Sequence, residues 1–191
     1  MQMQMQMQMQ MQMQKRVRVW DLAQRLLHWV LVASVGLAAL SVFTLSGAHQ
    51  PAGWVALGAV VLRGVWGFAG SRYARFSQFV RAPRATLRYL QSVLAHREPR
   101  YLGHNPLGAW MVTALLGCVA GLGFTGWLYR TDAFWGNEAV EDAHRMLAWA
   151  LLAAAVLHGS GVVFTSLRHR ENLLTSMFSG SKRAPSGSDI D

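Results

Sequence analysis

Apolar residues gather into four long runs, at 26–45, 52–69, 106–129 and 146–167, and all of the charge except Arg63 lies outside them. A helix needs about 20 such residues to cross a bilayer. The first, third and fourth runs hold no Lys, Arg, Asp or Glu, and the second holds only Arg63. Asn105 and Pro106 open the third run as a helix cap and a first helical position. The first run is longer than the 7–15 residues of a signal core, so it reads as a retained span despite the small residues Ser46, Gly47 and Ala48 after it. Between the second and third runs, 83–95 has amphipathic spacing, with Leu87, Leu90 and Leu94 on one side and Arg84, Arg88 and Gln91 turned away. It suits a helix on the inner membrane surface or a solvated loop helix. The predicted fold is all-α: an integral membrane four-helix bundle with a cytoplasmic interfacial helix between spans 2 and 3.

The ends differ in kind. Residues 1–14 are seven Met-Gln pairs without apolar period, a low-complexity tag, a misread start or a disordered tail, with Met13 as a natural start. The stretch 179–191, rich in Ser, Gly, Lys and Arg, reads as a disordered tail. The membrane domain is therefore expected over 15–178.

Charged residues make up 14% of the chain and apolar ones 52%, far from the roughly 25% charge of soluble domains. The net charge of +9 does not mark a nucleic-acid binder, because the cations alternate with the apolar runs. They lie before the first span, between the second and third, and after the fourth. The two remaining connections are poor in them, and the second of these carries Asp132, Glu138, Glu141 and Asp142. The positive-inside rule puts both termini in the cytoplasm of a multi-pass protein of the bacterial inner membrane. Cys118 is the single cysteine, which excludes an internal disulfide, an iron–sulfur cluster and covalent c-type haem.

Seven histidines remain as candidate chemistry. His96, His104 and His169 sit among arginines or at loop ends and read as surface or capping residues. His28 and His158 lie inside spans, and His49 and His144 at the outer ends of the second and fourth. His144 and His158 are fourteen positions apart, just under four helical turns, so both point to one face about 21 Å apart along the axis. With the spans alternating, His28 is level with His158 and His49 with His144. Paired imidazoles across a bundle suit the two faces of a haem b. Zinc would want three or four ligands at each level. Hydrogen bonding to neighbouring carbonyls is the plainer role for such histidines. Arg25, Arg63 and Arg145 lie near these levels and could answer haem propionates; for Arg63, snorkelling to the headgroups serves equally. Glycines in the second and third spans make room for a porphyrin or for close helix packing.

The stretches VWDLAQRLLHW, LRGVWGFAGSRYARF, YLGHNPLGAWM, DAHRMLAWALLAAAVLHGSG and HREN resemble the bacterial cytochrome b561 family. They are closest to its branch of cytochrome b subunits from nickel–iron hydrogenase and cytochrome c electron-transfer systems. The resemblance runs over 17–182. It implies four spans, two non-covalent b-type haems and electron transfer between a membrane quinone and a redox partner such as a c-type cytochrome or a hydrogenase. It carries over His28, His144 and His158 as ligands, with His49, in the departing stretch HQPAGW, as the fourth.

From another class, a haem-free membrane anchor or assembly subunit of a larger complex also fits the topology. Ion transport would want carboxylates within the spans, which have none. No nucleophile–base–acid constellation is present for hydrolysis, so the chain reads either as an electron-transfer subunit or as a quinone-linked oxidoreductase.

Overall fold

The computed structural model describes residues 2–5, 16–44, 46–187 and 189–190. The expected tag or tail at 1–14 lies outside these, apart from a helical turn at 2–5. A short strand, β1 (Arg16–Arg18), leads into helix α1 (Leu22–Ser41). A 3-10 turn, Ser46–Ala48, passes directly into α2 (His49–Ala69). A further 3-10 turn at Arg72–Ala74, the one-turn α3 (Phe76–Phe79) and α4 (Pro83–Leu94) precede α5 (Pro106–Leu128). Then follow α6 (Glu138–Arg168), α7 (Leu173–Ser179) and a strand β2 (Ser181–Arg183).

Four of these helices, α1, α2, α5 and α6, are long and apolar enough to cross a membrane. Only 6% of the most apolar window of α6 is buried by protein, so its surface needs lipid rather than water. Side-chain caps fix the starts. Asp21 accepts the Gln24 N–H at 2.8 Å, Asn105 that of Gly108 at 2.7 Å, and Asn137 that of Val140 at 3.2 Å. Each satisfies a donor that the first turn leaves without a helical partner. Helix α6 begins before the apolar run at 146 because its first turns are acidic, and Glu138 and Glu141 suit the positive end of the helix dipole.

Helix α1 packs on α2, α2 on α5, and α5 on α6. Ala56, Val119 and Leu151 form the buried contact among the last three, flanked by Val60, Leu115 and Leu122. Small residues allow this approach: a Cβ on Gly123 would lie 2.7 Å from Leu57. Helix α6 does not pack closely, backbone to backbone, on α1 or α2.

Helix α4 occupies the expected interfacial segment. Tyr89 is its buried residue, and Trp110 Nε1 donates to Thr86 Oγ1 at 3.1 Å, tying it to α5. Leu87 and Leu94 are well exposed and Leu90 partly so, so much of the apolar face is left uncovered and suits a lipid surface.

The C-terminal stretch departs from the disordered tail expected over 179–191. Strand β2 pairs antiparallel with β1, Lys182 opposite Val17. Gly180, at φ +81°, turns its carbonyl to the N–H groups of Val19 and Trp20 at 2.9 and 3.0 Å. A side chain there would collide with the Trp20 carbonyl. Arg100 is buried and gives Glu171 two bonds at 2.8 and 3.0 Å and Asp189 one at 2.6 Å. A buried guanidinium requires such partners. They come from residues 71 and 89 positions away, which local composition does not reveal.

Candidate haem-binding sites

At the end opposite the termini, His49 opens α2 and His144 lies two turns into α6. Their ring centroids are 6.2 Å apart with planes at 65°. His49 Nδ1 is 2.9 Å from the carbonyl of Ala38, which sits in the last turn of α1, where helix carbonyls lack helical partners. A carbonyl only accepts, so Nδ1 carries the proton and Nε2 keeps its lone pair. His144 Nδ1 lies 2.9 Å from Thr125 Oγ1, whose hydroxyl is 2.8 Å from the Gly121 carbonyl. If the hydroxyl donates to that carbonyl, its oxygen accepts from Nδ1, and His144 takes the same tautomer. Nitrogen–metal bonds of imidazole are about 2 Å, so rings on opposite sides of one iron have centres about 6 Å apart. The residues present fit two imidazoles serving one haem, and Gly126 lies beside the His144 ring, where even a Cβ would be in ordinary contact at 3.4 Å.

At the basic end, His28 is two turns into α1 and within electrostatic reach of His158 on α6. Buried polar atoms without a partner among the described residues include several at this end: Gln24 Oε1, His28 Nδ1, Trp29 Nε1, Arg63 NH1, Gln78 Oε1 and His104 Nδ1. Leaving a buried group unpaired costs about 1–3 kcal/mol. So many at one end fit a polar ligand rather than a packing accident. Among the described residues no three His, Cys, Asp or Glu side chains gather to hold a metal ion. The imidazoles of His49 and His144 stand together at one end, and His28 and His158 act on one another at the other.

The three arginines expected near these levels separate. Arg63 is 3% exposed in the middle of α2's buried face. Its NH2 donates to the Ala74 carbonyl at 3.1 Å and its guanidinium lies 5.0 Å over the Phe76 ring. Its NH1 has no partner, and a guanidinium so enclosed is not snorkelling to the headgroups. Arg25 donates to the Phe178 carbonyl and keeps a buried Nε unpaired. Arg145 is exposed and bound on its own helix to Asp142 at 2.9 Å and Glu141 at 3.4 Å. Its charge is answered without a cofactor.

Two residues at the basic end escape a reading from sequence. His104, expected as a surface or capping residue, is walled by Trp20 and Phe79, with ring centroids at 4.8 and 4.6 Å. Burial, then the charges of Lys182 and Arg63, push it down to about 3, so it stays neutral near pH 7. Its position in GHNP, directly before a span, is the available signal. Lys182, expected in a disordered tail, is buried, with Nζ 5.2 Å over the Trp20 ring. Burial pushes it down to about 8. His96 is exposed and His169 caps the end of α6, as expected of surface and capping histidines.

Four helices long and apolar enough to cross a membrane, with His49 and His144 brought together between two of them, are the features to set beside known proteins. The chain belongs to the prokaryotic cytochrome b561 family, whose model matches residues 19–180. It is similar to a "Probable Ni/Fe-hydrogenase B-type cytochrome subunit" of Bradyrhizobium diazoefficiens, at 28% identity over 71% of this chain and 65% of that protein. A protein of the same name from Rhodobacter capsulatus is 28% identical over 70% of this chain and 60% of its own length. The chain thus spans somewhat under two thirds of each relative. No solved structure matches. The family is named for a b-type cytochrome, a haem protein.

Proposed function

We propose that the protein passes electrons across the bacterial inner membrane through two b-type haems, one held by His28 and His158 and the other by His49 and His144. The observation that carries this reading is the 6.2 Å separation of the His49 and His144 rings, each with its Nδ1 engaged by a protein oxygen. Bonds of this kind to the far nitrogen hold a ligand ring in one tautomer and orientation. Bound haem supplies a one-electron couple at each level. The protein's own part is to present the imidazoles, enclose them in apolar helices and compensate charge through Arg63 at the basic end.

The concentration of Lys and Arg puts the basic end, with both termini, in the cytoplasm. Electrons then run between the membrane quinone pool and a periplasmic redox protein, a c-type cytochrome or a hydrogenase. The names of the two relatives favour the latter.

Pyridine haemochrome analysis of the purified full chain tests the reading. Two non-covalent b haems per chain are expected. His158→Ala should remove one spectral component and His144→Ala the other. A value near zero overturns the ligand assignment, and a value near one overturns one pair.

A further inference from the structure

At the basic end, two buried cations face the same aromatic pocket. Arg63 reaches it from α2 and Lys182 from β2. Lys182 lies over the Trp20 ring, which is 4.8 Å from the His104 ring. Both cations act electrostatically on His104, as do His28 and His158. The rings of Trp20, His104, Phe79 and Phe76 follow one another at 4.8, 4.6 and 5.6 Å, with Lys182 over the first and Arg63 over the last.

Neither cation has an ion-pair partner among the described residues. Arg63 NH1 is unpaired and its NH2 meets only the Ala74 carbonyl. Glu171, a carboxylate that acts on Lys182, has its two oxygens taken by Arg100 at 2.8 and 3.0 Å, and one also accepts the Arg183 N–H at 2.8 Å. A lysine is seldom buried unless it is paired, and an unanswered buried charge is costly. His104, neutral between them, can donate a hydrogen bond but cannot cancel their charge. Asp21 acts on Arg63 from beyond contact, its oxygens accepting from Gln24, Trp66 and Ser71, so neither cation has an anionic oxygen in contact among the described residues.

We propose that Lys182, together with Arg63, holds the propionate carboxylates of the haem between His28 and His158. This rests on the haem assignment above. It explains why the C-terminal ribbon is ordered, since β2 pairs with β1 and Gly180 binds the backbone of Trp20, so that Lys182 is carried under the bundle. Haem b has two propionates, and two cations are present to receive them. Charge-assisted bonds of this kind are roughly twice as strong as neutral ones.

The test is a redox titration of the full chain in detergent, followed at the α-band, with His144→Ala as background so that only the basic-end haem remains. Lys182→Met should leave that haem bound and lower its midpoint potential, because a propionate without its cation favours the oxidised iron. The expected size is about tenfold in the reduction equilibrium, or 59 mV for one electron. Lys182→Arg should restore most of the shift, and Arg63→Met should move the same haem in the same direction. Arg18→Gln, which removes an exposed charge from the same ribbon, should leave the potential in place. An unmoved potential in Lys182→Met overturns the proposal. So does an equal shift in Arg18→Gln, or a loss of haem that Lys182→Arg does not reverse, since the lysine would then act only on the fold. A His144→Ala protein with no haem at all would instead overturn the ligand assignment.

Discussion

Thr125 and His144 meet across α5 and α6 with Oγ1 and Nδ1 2.9 Å apart. The same hydroxyl lies 2.8 Å from the Gly121 carbonyl of its own helix. A hydroxyl has one proton, and donating it to that carbonyl leaves an oxygen that can only accept. The imidazole must then donate from Nδ1 and present Nε2 to the space between helices. Replacing Thr125 by Val keeps the shape and removes the acceptor. Orienting partners of metal-bound histidine are worth about 10–100-fold in affinity. Thr125→Val should weaken retention of the His49/His144 haem by about tenfold, measured as haem loss to apomyoglobin, and leave the other haem unaffected.

One carboxylate likewise serves several partners where α1 meets α2. Asp21 caps α1, accepts the Trp66 indole N–H at 3.1 and 3.2 Å, and accepts the Ser71 hydroxyl. Burial alone would raise this carboxyl; the bonds from Ser71, Gln24 and Trp66 outweigh it and hold it below the usual range. Asp21→Ala removes a cap worth about 0.5–2 kcal/mol and strands the indole N–H. Thermal denaturation in detergent should show a loss of about 2 kcal/mol, with Asp21→Asn losing less.

Much of this architecture is legible in the sequence because membrane spans announce themselves. An apolar run of the right length has few alternatives in lipid, and the C-terminal ends of α2 and α5 fall within one residue of the ends of the runs at 52–69 and 106–129. The approach of His49 to His144 follows from topology, which puts the two at one depth. The basic end is not legible, for a physical reason. Its order rests on pairs such as Arg100–Asp189 and Val17–Lys182, which are distant in sequence and locally polar. A stretch such as SGSKRAP carries no period that distinguishes a strand under a bundle from a solvated tail. The burial of His104 is hidden on similar grounds, since its aromatic walls, Trp20 and Phe79, come from elsewhere in the chain.

That buried charge network should be sensitive to acid. Burial alone would raise Glu171 and Asp189. Bonds from Arg100 and from the Arg183 N–H outweigh it for Glu171, and bonds from the Ser186 N–H and Arg100 do so for Asp189, so both lie below their ordinary values of 4.5 and 3.8. A carboxyl with a lowered folded-state value stabilises the fold above its ordinary value, and that contribution is lost as pH falls through the lowered one. The C-terminal ribbon should therefore loosen only below about pH 4.5, seen as faster proteolysis after Ser179 by an acid-stable protease. Glu171→Gln should show the loosening already at pH 7, because breaking one partner of a buried pair costs about 3–5 kcal/mol.

Orientation has its own test. If the basic end faces the cytoplasm, a reporter enzyme active only outside the inner membrane should be silent when fused after Ser179 and active when inserted between Thr131 and Asn137. The reverse pattern would invert both haem levels relative to the two compartments and remove the case for a periplasmic partner at the acidic loop.

That loop, 131–142, lies at the end of the bundle where His49 and His144 meet, and it carries Asp132, Glu138, Glu141 and Asp142. Glu141 and Asp142 are bound to Arg145, so their charge is partly answered at home. Asp132 and Glu138 are exposed and have no ion pair among the described residues. An acidic patch beside a redox centre draws a basic partner and raises its encounter rate, the more so at low salt. Neutralising both, as Asp132→Asn with Glu138→Gln, should slow electron exchange with a basic c-type cytochrome several-fold at low ionic strength. The salt dependence should flatten and the haem spectrum should not change. Glu141→Gln with Asp142→Asn should have the smaller effect, because removing them frees Arg145 as well as two acids. Stopped-flow reduction at two salt concentrations separates the cases. Equal rates and equal salt slopes for the Asp132/Glu138 variant and the unaltered protein would move the docking surface away from this loop.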